Sequence, residues 1–386
     1  MFTLIRDGNI YTPEPVGIRD ILIANGAIVA IAKHIDPPAD LDVRVINAAG
    51  KTVVPGLVDG HIHFLGAGGG SGPDSRSSAV HLSTMIRAGV TTAVGVLGID
   101  KIGFNLEELL IRSRALESEG LSTCILAGSY TLPSVSLTDS PLKDLYLIDK
   151  VIGVKIAVFE TLSSHPDKAM LRDSIAETWL GGRMGEKAGV TVAHVGNAKG
   201  DLLDIVDLLD EMLIPPSAFV ATHINRSPAL LKNAAECGKR GLILDLSGNI
   251  PQHGMIPASR ALKMLLDEGV PSSCITFSSD SGAAYAFDGQ QGILPVDVCI
   301  NELRAMVREQ GLSLTQALEP LTINPARVYR LDTRKGSLET GKDADLVFLD
   351  EELRVDTVIA RGKCMLAGCR PVVRGRLEEP LLENLP

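Results

Sequence analysis

His61 and His63 stand one residue apart in the run Val58-Asp59-Gly60-His61-Ile62-His63. Side chains alternate along a strand, so both imidazoles face the same way. Two such groups converging at a strand end can grip one divalent cation, zinc being the usual choice. The competing reading is a pair of histidines half buried in a core. The rest of the chain supplies further ligand types, each near the end of its own apolar segment: Lys155, His194, His223 and Asp280. Four imidazoles, a carboxylate and one bridging anion suffice for two cations.

Lys155 sits in the apolar run Val151-Ile152-Gly153-Val154-Lys155-Ile156-Ala157-Val158, where an unpaired charge is costly. Either a buried acid pairs with it, or its neutral amine has captured CO2 as a carbamate whose two oxygens can bridge two cations. Neighbouring cations favour the neutral amine. A hydroxide shared by two metals forms near neutral pH, because each cation lowers the pKa of bound water. Asp280 could then accept the proton and return it to a leaving amine, as base and then acid. Its simpler reading is a plain carboxylate ligand.

These groups need strands to carry them. From about Lys51 to Arg334, strand-like runs alternate with helical patterns. The candidate strands after the one leading to His61 are Thr92–Val96, Thr123–Ala127, Ile152–Ala157, Thr191–His194, Phe219–His223, Leu242–Leu246 and Ile275–Asp280; Leu106–Glu119 and Ala229–Cys237 read as helices. Eight β units with intervening helices predict an α/β fold, a (β/α)8 barrel over residues 55–334, whose active site lies at the C-terminal ends of the strands. Residues 1–54 and 335–386 read as short strands and turns, with Asn25-Gly26 as a hairpin signal. Each piece is too small for a good core, so the two are expected to pair in one small β-sandwich domain.

Composition narrows the function further. The 386 residues carry a net charge of −10, which argues against nucleic acid or anionic membranes as partners. No apolar stretch reaches the length of about 18 residues that a membrane span requires, and the first residues lack the pattern of a secretory signal. The six cysteines, Cys124, Cys237, Cys274, Cys299, Cys364 and Cys369, are scattered and read as free thiols of a cytoplasmic protein. His34, His81, His165 and His253 have no partners at telling spacings, although His253 lies in a loop able to reach the pocket. The glycine-rich run Gly66-Ala67-Gly68-Gly69-Gly70-Ser71-Gly72-Pro73 lacks the following helix of a phosphate cradle; its functional version would be backbone N–H groups, such as those near Gly68, facing a substrate.

With these ligands placed, the chain resembles the amidohydrolase superfamily and, within it, the isoaspartyl (β-aspartyl) dipeptidases. The resemblance is carried by Pro55-Gly56-Leu57-Val58-Asp59-Gly60-His61-Ile62-His63, Val151-Ile152-Gly153-Val154-Lys155, Gly189-Val190-Thr191-Val192-Ala193-His194, Thr222-His223-Ile224-Asn225-Arg226, Ser278-Ser279-Asp280 and Gly341-Lys342-Asp343-Ala344-Asp345-Leu346. It implies two Zn2+ ions held by His61, His63, His194, His223 and Asp280, bridged by N6-carboxylated Lys155 and hydroxide. It also implies a homo-oligomer and a small-molecule substrate whose amide bond is formed through an aspartate side-chain carboxyl. Tyr130 falls where a tyrosine would hold the reacting carbonyl, and Arg226 where a guanidinium would grip a carboxylate.

Four other positions depart from the dipeptidase pattern. Gly70 stands where a glutamate would receive the substrate's free amino group, Ile99 replaces a threonine, Leu162 a second carboxylate-gripping arginine, and Ala284 a serine. Losing an anchor to a charged group typically costs about 2 kcal/mol or more. The expected substrate therefore keeps one carboxylate beside a less polar remainder: an N-acylated amino acid, a cyclic amide, or a β-aspartyl compound without a free amine. Glu160 or Asp100 could instead replace the missing acid. The alternatives are a cyclic amidase or N-acyl amino acid deacetylase of the same superfamily and a non-catalytic scaffold.

Overall fold

A computed structural model describes residues 2–37, 40, 42–248, 254–287, 290–376 and 378. The first strands are β1 (Phe2–Tyr11), β2 (Pro15–Ala24), β3 (Ala27–Ala32), β4 (Val43–Asn47) and β5 (Thr52–Pro55). Eight more follow, alternating with helices: β6 (Leu57–Ile62), β7 (Val90–Gly95), β8 (Ser122–Gly128), β9 (Val151–Val158), β10 (Val190–Val195), β11 (Phe219–Thr222), β12 (Ile243–Ser247) and β13 (Ile275–Ser278). A short hairpin, β14 (Ala284–Phe287) and β15 (Gln290–Ile293), precedes the final strands β16 (Leu346–Leu349), β17 (Val355–Ala360), β18 (Lys363–Ala367) and β19 (Arg370–Pro371).

Strands β6 to β13 pair side by side in chain order, every pair parallel. Such strands are covered on both faces, which is why they read as near-continuous apolar runs. The first and last strands meet through backbone bonds at their ends, where Asp280 N–H donates to His61 O (3.1 Å) and His63 N–H to Ser281 O (2.8 Å). The fold is therefore the expected (β/α)8 barrel, and its seam runs through the histidine pair and Asp280. Among the outer helices, Leu106–Glu119 starts at Asn105, whose side chain accepts from Glu108 N–H (2.8 Å), and stops at Gly120, with φ of 120°.

Two strands end sooner than their apolar patterns predict. β11 stops before His223 and β13 before Asp280, because both residues adopt left-handed backbone conformations, with φ of 68° and 53°. Non-glycine residues rarely adopt these angles unless the surroundings impose them, and such strain clusters at functional sites.

Strands from both termini form a second sheet of nine strands, ordered β19-β18-β17-β16-β5-β1-β2-β3 with β4 beside β1. Register Leu346↔Pro55 through Leu349↔Thr52 joins the C-terminal part to the N-terminal one. Asn25 and Gly26 form the hairpin turn between β2 and β3 with φ of 50° and 81°, as their turn chemistry requires. Ile5, Ile10, Ile21, Ile28, Leu346 and Phe348 share this sheet's own core.

Beneath the mouth of the barrel, Val94, Leu126, Val192, Val220 and Ile243 pack with Tyr329. The Tyr329 hydroxyl donates to Gly60 O (2.7 Å), and a Cβ on Gly60 would lie 2.8 Å from the Tyr329 ring. Gly95 is tighter still, since a Cβ there would lie 2.1 Å from the ring of Phe64, the residue after His63. Overpacking of this kind costs about 1–3 kcal/mol. Gly95→Ala is expected to lower the urea midpoint of unfolding correspondingly; an unchanged midpoint would show that Phe64 moves aside freely.

Candidate metal centre

The strand ends bring the sequence-predicted ligands together. The His61 and His63 rings lie 5.4 Å apart between centroids, His61 and His223 5.2 Å, and His194 and His223 4.7 Å. Asp280 Oδ1 is 3.5 Å from His61 Nε2 and 3.3 Å from His63 Nε2. One donor atom from each of these three residues fits within 4.8 Å of the others, a spread that one cation can draw together. His63 Nδ1 is buried with no hydrogen-bond partner.

Electrostatics suit ligands rather than charged side chains. Burial pushes the pKa values of His61, His194 and His223 well below the usual histidine value, with neighbouring cations adding to the effect. Neutral imidazoles keep the lone pair that a metal needs. The Lys155 Nζ lies 3.2 and 3.1 Å from the two ring nitrogens of His61. Among the described residues no carboxylate comes within ion-pair distance of it, which removes the reading of a lysine paired with a buried acid. Burial lowers its pKa from 10.5 to about 7, against the opposing pull of Asp280 and Asp245. A substantial neutral fraction thus exists near physiological pH, as carbamate formation requires. The donor set of His61, His63 and Asp280 fits a divalent metal ion.

Two buried aspartates behind the ligands escaped the sequence reading. Asp59 accepts from Ser279 N–H (3.0 Å), the Ser279 hydroxyl (2.5 Å) and His61 N–H (3.3 Å), binding β6 to the segment carrying Asp280. Asp245 accepts from the hydroxyls of Thr222 (2.7 Å), Thr276 (2.7 Å) and Ser278 (2.6 Å), while its carbonyl accepts from His223 N–H (3.0 Å). Burial raises both carboxyls, Asp59 to about 7. A lone aspartate inside an apolar strand was the available signal in both cases.

Above the ligands opens a cavity of about 530 Å3. Its lining includes Tyr130, Arg226, Gly68, Gly70, Ile99, Leu162 and Ala284, so the residues expected to meet substrate share one space with His63, His194 and Asp280. Tyr130 Oη lies 2.7 Å from His194 Nδ1, and burial raises its pKa. A Cβ on Gly70 would lie 3.5 Å from Leu162 and 3.6 Å from Ile99, so these three departures form one apolar wall. A Cβ on Gly68 would meet Ala284 at 3.2 Å.

The two spare acids separate. Glu160 lines the cavity with Oε2 3.1 Å from His194 Nε2 and 3.9 Å from Arg226. Asp100 is taken up by Arg76 (3.1 Å) and by the N–H groups of Ile102 and Gly103; the Gly103 N–H, chiefly, holds its carboxyl below the usual range. Arg76, whose guanidinium stacks 4.3 Å from the Phe104 ring, lines the cavity and was not anticipated. His34 contacts Arg6 and Asp36 on the terminal sheet, while His81 and His165 are exposed. None of these three lines the cavity. His253 lies outside the described residues. All six cysteines are free, and burial raises the Cys124 thiol to about 11.

Comparison with known proteins agrees with this geometry. Residues 52–365 match the amidohydrolase family. The crystal structure of a β-aspartyl dipeptidase from Fervidobacterium islandicum AW-1, in complex with β-Asp-Leu, is 32% identical; the match covers 96% of this chain and 98% of that one, with a TM-score of 0.90. A dihydroorotase from Halalkalibacterium halodurans is 25% identical over 91% of this chain and 89% of its own length. A D-hydantoinase from Streptomyces coelicolor is 24% identical over 90% and 85%.

The lowered Lys155 pKa has a thermodynamic consequence for metal-free protein. Between pH about 7 and 10.5 the unfolded chain carries the Lys155 proton and the native state does not, so this residue makes stability rise with pH across that window. Chemical denaturation of metal-free protein against Lys155→Met should show the steeper rise in wild type; parallel profiles would mean that Lys155 keeps an ordinary pKa.

Proposed function

Since this chain belongs to the amidohydrolase family, we propose that it hydrolyses an amide bond of a small, carboxylate-bearing substrate of the β-aspartyl dipeptide type, with two zinc ions as cofactor. The observation that carries this reading is the convergence of four histidines, Asp280 and a buried Lys155 that no carboxylate among the described residues reaches, beneath a cavity that also holds Arg226. His61, His63 and Asp280 would hold one ion, His194 and His223 the other, and carboxylated Lys155 both. Bound there, the metals would polarise the amide carbonyl and acidify water. We assign the protein to the cytoplasm as a homo-oligomer; none of its described helices is long and apolar enough to cross a membrane.

The chain's own groups supply the rest. The Arg226 guanidinium takes the substrate carboxylate in a charge-assisted bond. Tyr130, kept protonated by its burial, donates to the carbonyl oxygen as negative charge grows there. Asp280 accepts a proton from the attacking water and delivers it to the leaving amine. The wall of Gly70, Ile99 and Leu162 favours an apolar or acylated group at the substrate's other end, since it offers an ammonium nothing. Arg76 does not restore such an anchor, being cationic itself.

Two other readings have support. Glu160, open to the cavity beside Arg226, could receive a free ammonium and so keep ordinary dipeptides as substrates. The relatives named dihydroorotase and D-hydantoinase favour a cyclic amide. A non-catalytic scaffold has least support, because the chain retains His61, His63, Lys155, His194, His223 and Asp280.

Zinc-loaded protein assayed against isoaspartyl dipeptides and their N-acetyl forms separates these readings. N-acetyl substrates are expected to be cleaved at least as efficiently as free-amine ones; cleavage confined to the free amines would refute the altered specificity and give Glu160 the ammonium. Asp280→Asn is expected to lower kcat about 10²- to 10⁴-fold. Substantial remaining turnover would take Asp280 out of proton transfer.

A further inference from the structure

A second cavity, of about 440 Å3, opens at the opposite end of the barrel from the metal centre. The starts of β7 and β8 and the residues leading into β9 form its floor, and the connection around residues 330–335 forms its rim, beside Asp343 and Arg361 of the C-terminal part. It thus lies at the seam between the barrel and the terminal sheet. Nothing in the proposed hydrolysis uses it.

Its charges do not balance. Lys150, Arg330, Arg334, Lys335 and Arg361 line it, against only Glu117, Asp149 and Asp343. The flanking Lys187, which interacts with Asp149, and Asp345, which accepts from Lys335 (2.6 Å), cancel one another. Two positive charges remain in excess among the lining side chains, and one once Asp332, between the lining Leu331 and Thr333, is counted. Most of the cations already have partners: Lys150 pairs with Glu117, Arg334 and Lys335 with Asp343, and Arg361 with Glu117. Arg330 is the exception. It donates only to Lys187 O (3.1 Å), and among the described residues no carboxylate reaches it.

The floor supplies a second, independent observation. Thr92 is 1% exposed, yet its hydroxyl has no hydrogen-bond partner. Of the buried unpartnered hydroxyls among the described residues, it alone lines this cavity. An unmet buried hydroxyl is costly unless something bonds to it. The neighbouring Cys124 offers no alternative chemistry, since burial keeps its thiol protonated.

We infer that this cavity binds a compact dianionic oxyanion, held by the Arg330 guanidinium at the rim and the Thr92 hydroxyl at the floor. The negative charge answers the excess of cations lining the cavity, and the oxygens accept the donors that the protein leaves unused. Bound at the seam, the anion braces the terminal sheet against the barrel. Its effect is on stability rather than on turnover.

Sulfate and succinate, as inorganic and dicarboxylate probes, test this by calorimetric titration of the zinc-loaded full chain at ionic strength fixed with chloride. Saturable binding of at least one probe, with a raised Tm, is expected, and the tighter of the two identifies the source of the oxygens. Loss of a charge-assisted bond in Arg330→Gln should weaken binding about tenfold or more. Thr92→Val should weaken it less, and Arg226→Gln, in the other cavity, should leave it unchanged. The inference fails if neither probe binds beyond chloride, if Arg330→Gln and Thr92→Val bind like wild type, or if Arg226→Gln alone abolishes binding.

Discussion

The energetic cost of holding charge away from water governs the mouth of this barrel. His61, His194, His223 and Lys155 are packed against one another with almost no solvent. Protonating all of them would crowd cations into a medium that cannot screen them. Burial therefore drives each towards its neutral form. Imidazoles kept neutral by the same desolvation retain the lone pairs that a divalent metal would need, and the Asp280 carboxylate beside His61 and His63 supplies the negative charge that would offset a buried cation.

The candidate ligands also need to be aimed. His223 and Asp280 sit in left-handed backbone conformations just beyond their strands. Asp245 holds the His223 segment through three hydroxyls and its own carbonyl, while Asp59 fastens the His61 strand to the Asp280 segment. These two carboxylates lie at the barrel seam and its neighbouring strands, so the closure of the sheet and the positioning of ligands are one arrangement. Phe64, seated in the space that Gly95 leaves, fixes the chain immediately after His63.

Much of this was legible in the sequence because strand periodicity and ligand chemistry point the same way. The spacing of His61 and His63 predicts their shared face, and an amine in the apolar run around Lys155 announces its own peculiarity. The (β/α)8 order follows from alternating patterns alone. The strand ends at His223 and Asp280 were not legible, since positive φ in a non-glycine residue is imposed by tertiary contacts. Arg76 escaped notice because a loop arginine carries no pattern, and its place above the cavity depends on Phe104 and Asp100, which follow it by more than twenty residues. Asp59 was hidden in plain view, read as part of the histidine motif rather than as the clamp beneath it. The resemblance to the dipeptidases located Gly70, Ile99 and Leu162 individually; only the structure makes them one surface.

On the proposed reading these buried groups hold two metal ions, with carboxylated Lys155 as the bridge. The decisive measurement is mass-spectrometric metal analysis of protein produced with ample zinc and bicarbonate. About two zinc ions per chain are expected, falling to one or fewer in Lys155→Ala. Only trace metal in the wild type, or an unchanged count in the variant, would overturn the metal assignment.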